Sequence, residues 1–195
     1  MNSGKLRINN RSFIKYKFFN SLFSGTAAGI TFSIFSSLDA SIASISGIAL
    51  TILTLFVAML YSKILNINYF YKISLFVELI ILSVVVGFLL FSFNYQIALF
   101  IYIGYQITFV FGDYLWRAET LLLKKDKLLT LVDVAKKIGY LVGLGSALIF
   151  YKIIEHKFQI IDEETQVFYM HYFLLIIELL IITYLIKSFE KFKHY

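Results

Sequence analysis

Six stretches of mostly apolar residues, at about 18–38, 41–61, 73–93, 96–116, 131–151 and 167–187, leave this chain few ways to fold. A helix that crosses a hydrocarbon core of about 30 Å needs about 20 such residues, and each stretch supplies them. The runs are continuously apolar rather than alternating, and about twice as long as a membrane strand requires, which argues against a β-barrel. The expected fold class is an all-α polytopic membrane protein with six transmembrane helices. A basic tail would cover residues 1–17, the six-helix bundle 18–187, and a short C-terminal tail 188–195. Composition agrees: 59% of residues are hydrophobic and 15% charged, where soluble domains have roughly 45–50% and 25%. The fifth run is the least clean, because Asp133, Lys136 and Lys137 fall in its first turns.

Lys and Arg in short connections mark the cytoplasmic side of a membrane protein. Here Lys5, Arg7, Arg11, Lys15 and Lys17 precede run 1, Lys63 and Lys72 separate runs 2 and 3, Arg117, Lys124, Lys125 and Lys127 separate runs 4 and 5, and Lys187, Lys191 and Lys193 follow run 6. The alternate connections hold Asp39, an uncharged turn at 94–95, and a segment at 152–166 in which Glu155, Asp162, Glu163 and Glu164 outnumber Lys152 and Lys157. Both termini are therefore expected in the cytoplasm, with the chain in a bacterial inner (plasma) membrane. Run 1 also follows a basic tail as a signal peptide would, but its length and the even helix count favour a span. The net charge of +6 follows the membrane edges, where it sets orientation and meets anionic lipid; no nucleic-acid partner is expected.

The sequence contains no cysteine, so disulfides, thiolate metal sites and lipoprotein anchors are excluded. Proline is absent as well, so any break in a helix must come from glycine or polar residues. His156, His171 and His194 show no metal-ligand spacing and read as loop or interface histidines. No phosphate loop, serine elbow or paired-histidine motif is present. Neither a cofactor nor an enzymatic activity is expected.

Polar residues inside the runs carry the functional expectations, because a charge in hydrocarbon is costly unless paired or hydrated. Glu78, Asp113, Lys136 and Lys137 are expected in one layer near the cytoplasmic ends, with Arg117 reaching the headgroups or back to Asp113 one helical turn earlier. That layer reads either as ion pairs that fix packing or as a cytoplasmic gate. Glu178 falls at mid-bilayer, as does Gln106 with Thr108 nearby. A carboxyl there is protonated and hydrogen-bonded, to Gln106 for instance, or ionised against a partner or cavity water, so Glu178 is the leading candidate for a proton or cation site. On run 1, Asn20, Ser24 and Thr31 belong to a polar stripe suited to lining a solute path, while Gly25 with Gly29 and Gly139 with Gly143 let helices approach closely.

The connection lengths (a short first outer turn, a compact 2–3 link, a very short 3–4 turn, a longer 4–5 link) resemble those of one half of a major facilitator superfamily transporter. Locally, "YLWRAETLLL" puts Arg117 near the cytoplasmic end of helix 4, and "DVAKKIGYLVGLGSALIF" is similar to the family's glycine-containing fifth helix. The family's glycine, aspartate and arginine signature between helices 2 and 3 is reduced to Lys63 and Lys72 in "MLYSKILNINYFYKIS", and the outer segment 152–166 is longer than the family's. The resemblance implies two inverted three-helix repeats and a carrier of a small solute working by alternating access under a proton or substrate gradient. It also implies a second six-helix half, either another copy or a separate chain. The alternative is a non-transporting accessory subunit, or a degenerate half, whose buried polar residues only hold the bundle together.

Overall fold

The computed structural model describes residues 6–35, 40–91, 95–123 and 126–191. The expected turns at Asp39 and Asn94, and Lys124 and Lys125, lie outside these residues. In chain order the elements are strand β1 (Leu6–Ile8), helices α1 (Asn10–Phe35), α2 (Ala40–Met59), α3 (Tyr61–Ile64), α4 (Ile67–Leu90), α5 (Tyr95–Val110), α6 (Gly112–Leu122), α7 (Asp126–Phe158) and α8 (Glu163–Lys187), and strand β2 (Phe189–Lys191). The fold is all-α apart from this two-stranded ribbon. Among the described residues four helices are long and apolar enough to cross a membrane, Ile67–Leu90, Gln96–Leu122, Lys127–Phe158 and Glu163–Lys187. The second of them joins α5 and α6 into one rod. Within α2 the apolar helix Ser44–Met59 is shorter.

Short polar side chains set where helices begin, by accepting from N–H groups that the first turn leaves unpaired. Asn9 accepts from the Ser12 amide (3.3 Å), Asn66 from the Asn68 and Tyr69 amides (both 3.1 Å), and Asp162 from the Thr165 amide (2.9 Å) and hydroxyl (2.5 Å). The two bonds from Thr165, the hydroxyl first, hold the Asp162 carboxyl below the usual carboxylate range. Between α5 and α6 the rod tightens for a single turn, where the Phe111 amide donates to Thr108 at 3.2 Å rather than one residue further back.

Several boundaries differ from the hydropathy reading, among them the start of α4 at Ile67 rather than 73. α1 starts at Asn10, so Lys15 and Lys17 belong to a helix and not to a tail. α6 carries the fourth rod past Trp116 to Leu122, and α7 runs on to Phe158 into the 152–166 connection, with Gln159 in the left-handed region (φ 56°) immediately after it. For α1 the Asn9 cap and for α6 the burial of Ala118 and Glu119 carry the helix beyond its apolar stretch.

Counting α5 and α6 as one, the main helix contacts link six rods in a row, while α1 and α7 also reach the α5–α6 rod at Glu119. α1 lies between α7 and α8, α4 lies between α8 and the α5–α6 rod, and α2 leans on α5. In sequence order of the rods the row reads five, one, six, three, four, two. Exchanging the first three rods with the last three turns this row into its own reverse. Glycines make the α1–α7 contact backbone to backbone: a Cβ on Gly25, Gly139 or Gly143 would land on the carbonyl oxygen of Tyr140, Phe18 or Leu22 respectively. The corresponding α2–α5 contact is looser, and α2 turns Ile45, Ile48, Leu55, Phe56 and Met59 outward.

The ribbon pairs Leu6 with Lys191, Arg7 with Glu190 and Ile8 with Phe189 in antiparallel register. Phe189 packs against Phe13, Phe70 and Tyr71, with ring centres 6.3, 6.0 and 4.9 Å away. The start of α1, the start of α4 and the end of α8 therefore meet at one end of the bundle, here called the ribbon end. Tyr114 ties α6 to that end by donating its hydroxyl to Ile64 at 2.8 Å.

Candidate functional site

The charged cluster nearest the ribbon end is built around an acid that the apolar-run boundaries had placed in a connection. Glu119 on α6 is 3% exposed and sits between Lys17 of α1, at 2.6 Å, and Lys136 of α7, which both donates to it and pairs with it. Lys136 also lies 3.6 Å from the exposed carboxyl of Asp133. Lys17 is boxed by aromatic rings, its ammonium 5.6, 5.0 and 5.9 Å from the ring centres of Phe13, Tyr16 and Phe70. Desolvated ammonium groups gain from such ring faces, and a carboxylate between two ammoniums offsets its own desolvation. This clamp joins rods one, four and five.

Asp113 is corrected by this geometry. It lies with Trp116, Arg117 and Thr120 on the exposed stripe of α6, while Tyr114, Ala118 and Glu119 turn inward. Arg117 does not pair with it in a salt bridge; its guanidinium stacks over Tyr61, 5.6 Å from the ring centre. Lys137 is exposed too. Of the expected layer only Lys136 joins a buried pair, because Val132, Lys136, Gly139 and Gly143 share the stripe of α7 that faces α1.

Glu78 belongs to a second, deeper group. It lies eleven residues into α4, about 16 Å from that helix's start at 1.5 Å per residue. Glu178 lies nine residues from the end of α8, about 14 Å by the same rise. α4 packs on α8, and the two acids are electrostatic neighbours. Glu78 is 1% and Glu178 0% exposed. One Glu78 oxygen accepts from the Tyr16 hydroxyl (2.8 Å) and the Asn20 amide (3.0 Å), both on α1. Its other oxygen and both oxygens of Glu178 have no hydrogen-bond partner among the described residues. His171 is buried on the same stripe of α8, stacked on Phe88 at 3.7 Å with Nδ1 on the Val167 carbonyl.

Gln106 is not Glu178's partner. It lines a separate cavity of 340 Å³ between α2 and α5, together with Ser46, Leu50 and Tyr102, and its amide oxygen is buried without a hydrogen bond among the described residues. Ser46 and Tyr102 bond to each other across that cavity. Thr108 donates to the Tyr105 carbonyl at 2.7 Å, a local helix bond. On α1, Ser24 is exposed and donates to the Asn20 carbonyl at 3.1 Å, whereas the Thr31 side chain lies outside the described residues. The polar stripe is thus split, with Asn20 holding Glu78 and Ser24 facing outward. Among the described residues no group of three or more His, Asp or Glu is placed to hold a metal.

Chemically, the clamp is a fixed element in which two ammonium groups meet the Glu119 carboxylate directly. The Glu78–Glu178 pair is not matched in this way, since three of its four carboxylate oxygens are buried without a hydrogen-bond partner among the described residues. No family model, no curated protein and no solved structure matches this chain.

Proposed function

We propose that the chain is a six-span protein of a bacterial inner membrane, with both termini cytoplasmic, forming one half of a transporter that moves a small solute by alternating access. The observation that carries this reading is the palindromic order of the rods, the neighbour pattern that two inverted three-helix repeats generate. Two further features support it. The ribbon holds both described ends of the chain at one end of the bundle, as an even number of crossings requires. Lys63, Lys72 and Lys187 lie on elements that reach that same end, the pattern of a cytoplasmic face. Glu178 would supply the proton coupling, and Ser24 on the exposed face of α1 would face the solute path.

One observation favours a second reading, an accessory or structural subunit. Glu119 finds both its counter-ions inside a single bundle, so this part of the polar interior is satisfied without a second half. Native mass spectrometry after gentle extraction separates the two. The transporter reading expects two six-rod units, either two copies or one copy with a second chain. A single copy that persists in both detergent and nanodiscs overturns it.

A further inference from the structure

The buried charges of this bundle do not balance. Three acids, Glu78, Glu119 and Glu178, are each at most 3% exposed, and they meet two ammonium groups, those of Lys17 and Lys136. Glu119 is matched directly. With two ammonium groups against three buried carboxylates, one carboxylate charge is left uncompensated in a low-dielectric interior. An isolated buried carboxylate is too costly to persist there, so one positive charge must be added. The place for it is marked by the oxygens without partners: one on Glu78 and both on Glu178.

Among the described residues the elements around the pair bring no other buried cation than Lys17. α1 presents Tyr16 and Lys17, α6 presents Glu119, α7 presents Lys136, and β1 brings only the exposed Arg7, while α5 contains no Asp, Glu, Lys, Arg or His. On α8, His171 lies two turns towards the opposite end, with its ring stacked on Phe88. A metal ion would need a shell of several oxygens and the room to hold them. A proton needs only one oxygen that can become an O–H donor and one that can accept.

We propose that Glu78 and Glu178 form a single two-carboxyl site at the α4–α8 contact that holds one exchangeable proton between them in the resting protein. The proton adds to a carboxylate oxygen of Glu178 to give the acid, and the oxygen of Glu78 that has no partner on α1 is the acceptor it would use across the α4–α8 contact. Tyr16 and Asn20 bind the other oxygen of Glu78, so loss or gain of the proton is felt directly by α1, the rod that carries Lys17 and Ser24. The inference deepens the transport reading, placing the coupling proton at the contact between rods three and six, away from the Ser24 face.

Infrared difference spectroscopy of the full chain in lipid nanodiscs tests it without any solute. The wild-type protein should show the C=O stretch of a buried protonated carboxyl, shifted by deuterium exchange. Glu178→Gln should lose that band, and Glu78→Gln should move it in frequency, because the acid's hydrogen-bond acceptor has changed. No such band in the wild type, a band unchanged in Glu178→Gln, or a band lost in Glu178→Gln but indifferent to Glu78→Gln each overturns the shared site. Sodium-dependent thermal stabilisation of the wild-type protein that disappears in Glu78→Gln would put a metal ion in place of the proton. Should Glu178→Gln not fold, the wild-type band, the sodium titration and Glu78→Gln still decide. A positive spectrum from a chain that proves to be a lone copy would leave the site standing and remove the transporter.

Discussion

Glu119 shows how much of a buried charge's role depends on helix phase. Asp113 and Glu119 both lie on α6, six positions apart, which at about 100° per residue puts them on different faces. One face meets solvent or lipid beside Trp116, and the other meets two lysines. Replacing Glu119 with Gln leaves Lys17 and Lys136 facing each other without a counter-ion. The expected loss is about 3 kcal/mol, the lower end for removing one partner of a buried pair, because Lys136 keeps some contact with water. Adding Lys136→Met should return part of that loss by removing the surplus charge. Asp113→Asn should stay within about 0.5 kcal/mol, as exposed substitutions do. Unfolding titrations in mixed micelles measure all three, and an Asp113→Asn loss equal to that of Glu119→Gln would contradict the assignment.

Among elements, α1 and α7 are held by backbone contact across glycines. Gly139 and Gly143 have Phe18 and Leu22 carbonyls where a Cβ would be, and backbone cannot yield as a side chain tip can. Gly139→Ala or Gly143→Ala should therefore force the rods apart and cost about 1–3 kcal/mol, the range for overpacking. Gly29 and Gly145 have nothing within 4 Å of the same position. Alanine there should be neutral, or stabilising by up to about 1 kcal/mol from helix propensity. Thermal unfolding of the four single variants is the check; a loss at Gly29 matching that at Gly143 would mean the sequence spacing, not the contact, matters. Both glycine pairs are visible in the sequence as small-xxx-small motifs. What spacing leaves open is which member of a pair has room for a Cβ: at Gly25 it would strike the Tyr140 carbonyl, and at Gly29 the space is open.

For the whole molecule, the ribbon makes a demand on topology. Both described ends sit together, and the α7–α8 connection lies at the opposite end of the bundle. Because the chain has no cysteine, single cysteines report on sidedness directly. In intact cells, an impermeant thiol reagent should label the exposed position Glu164→Cys and leave Arg11→Cys and Lys187→Cys unlabelled until the membrane is opened. Labelling of either terminal position in sealed cells would break the six-span arrangement, whatever the function.

The all-α character and the approximate centres of the apolar helices follow from the sequence alone, because apolar length acts locally and each run must satisfy its own backbone. Glu178 was legible for the same reason: depth along a run sets the cost of a carboxyl, and depth can be counted. The partners of that carboxyl could not be counted. Gln106 shares its depth but points into the α2–α5 cavity, whereas Glu78, which seemed shallow, drops to its level once α4 begins at Ile67 rather than 73. Lys17 and Glu119 were hidden because hydropathy ends a span where charge begins, while the helix continues as long as caps and tertiary contacts support it. Which charged residues turn inward depends on the rotation of each rod against its neighbours. That rotation is decided by glycine contacts, the aromatic cluster at Phe189 and the order of the rods, all made between residues far apart in the chain.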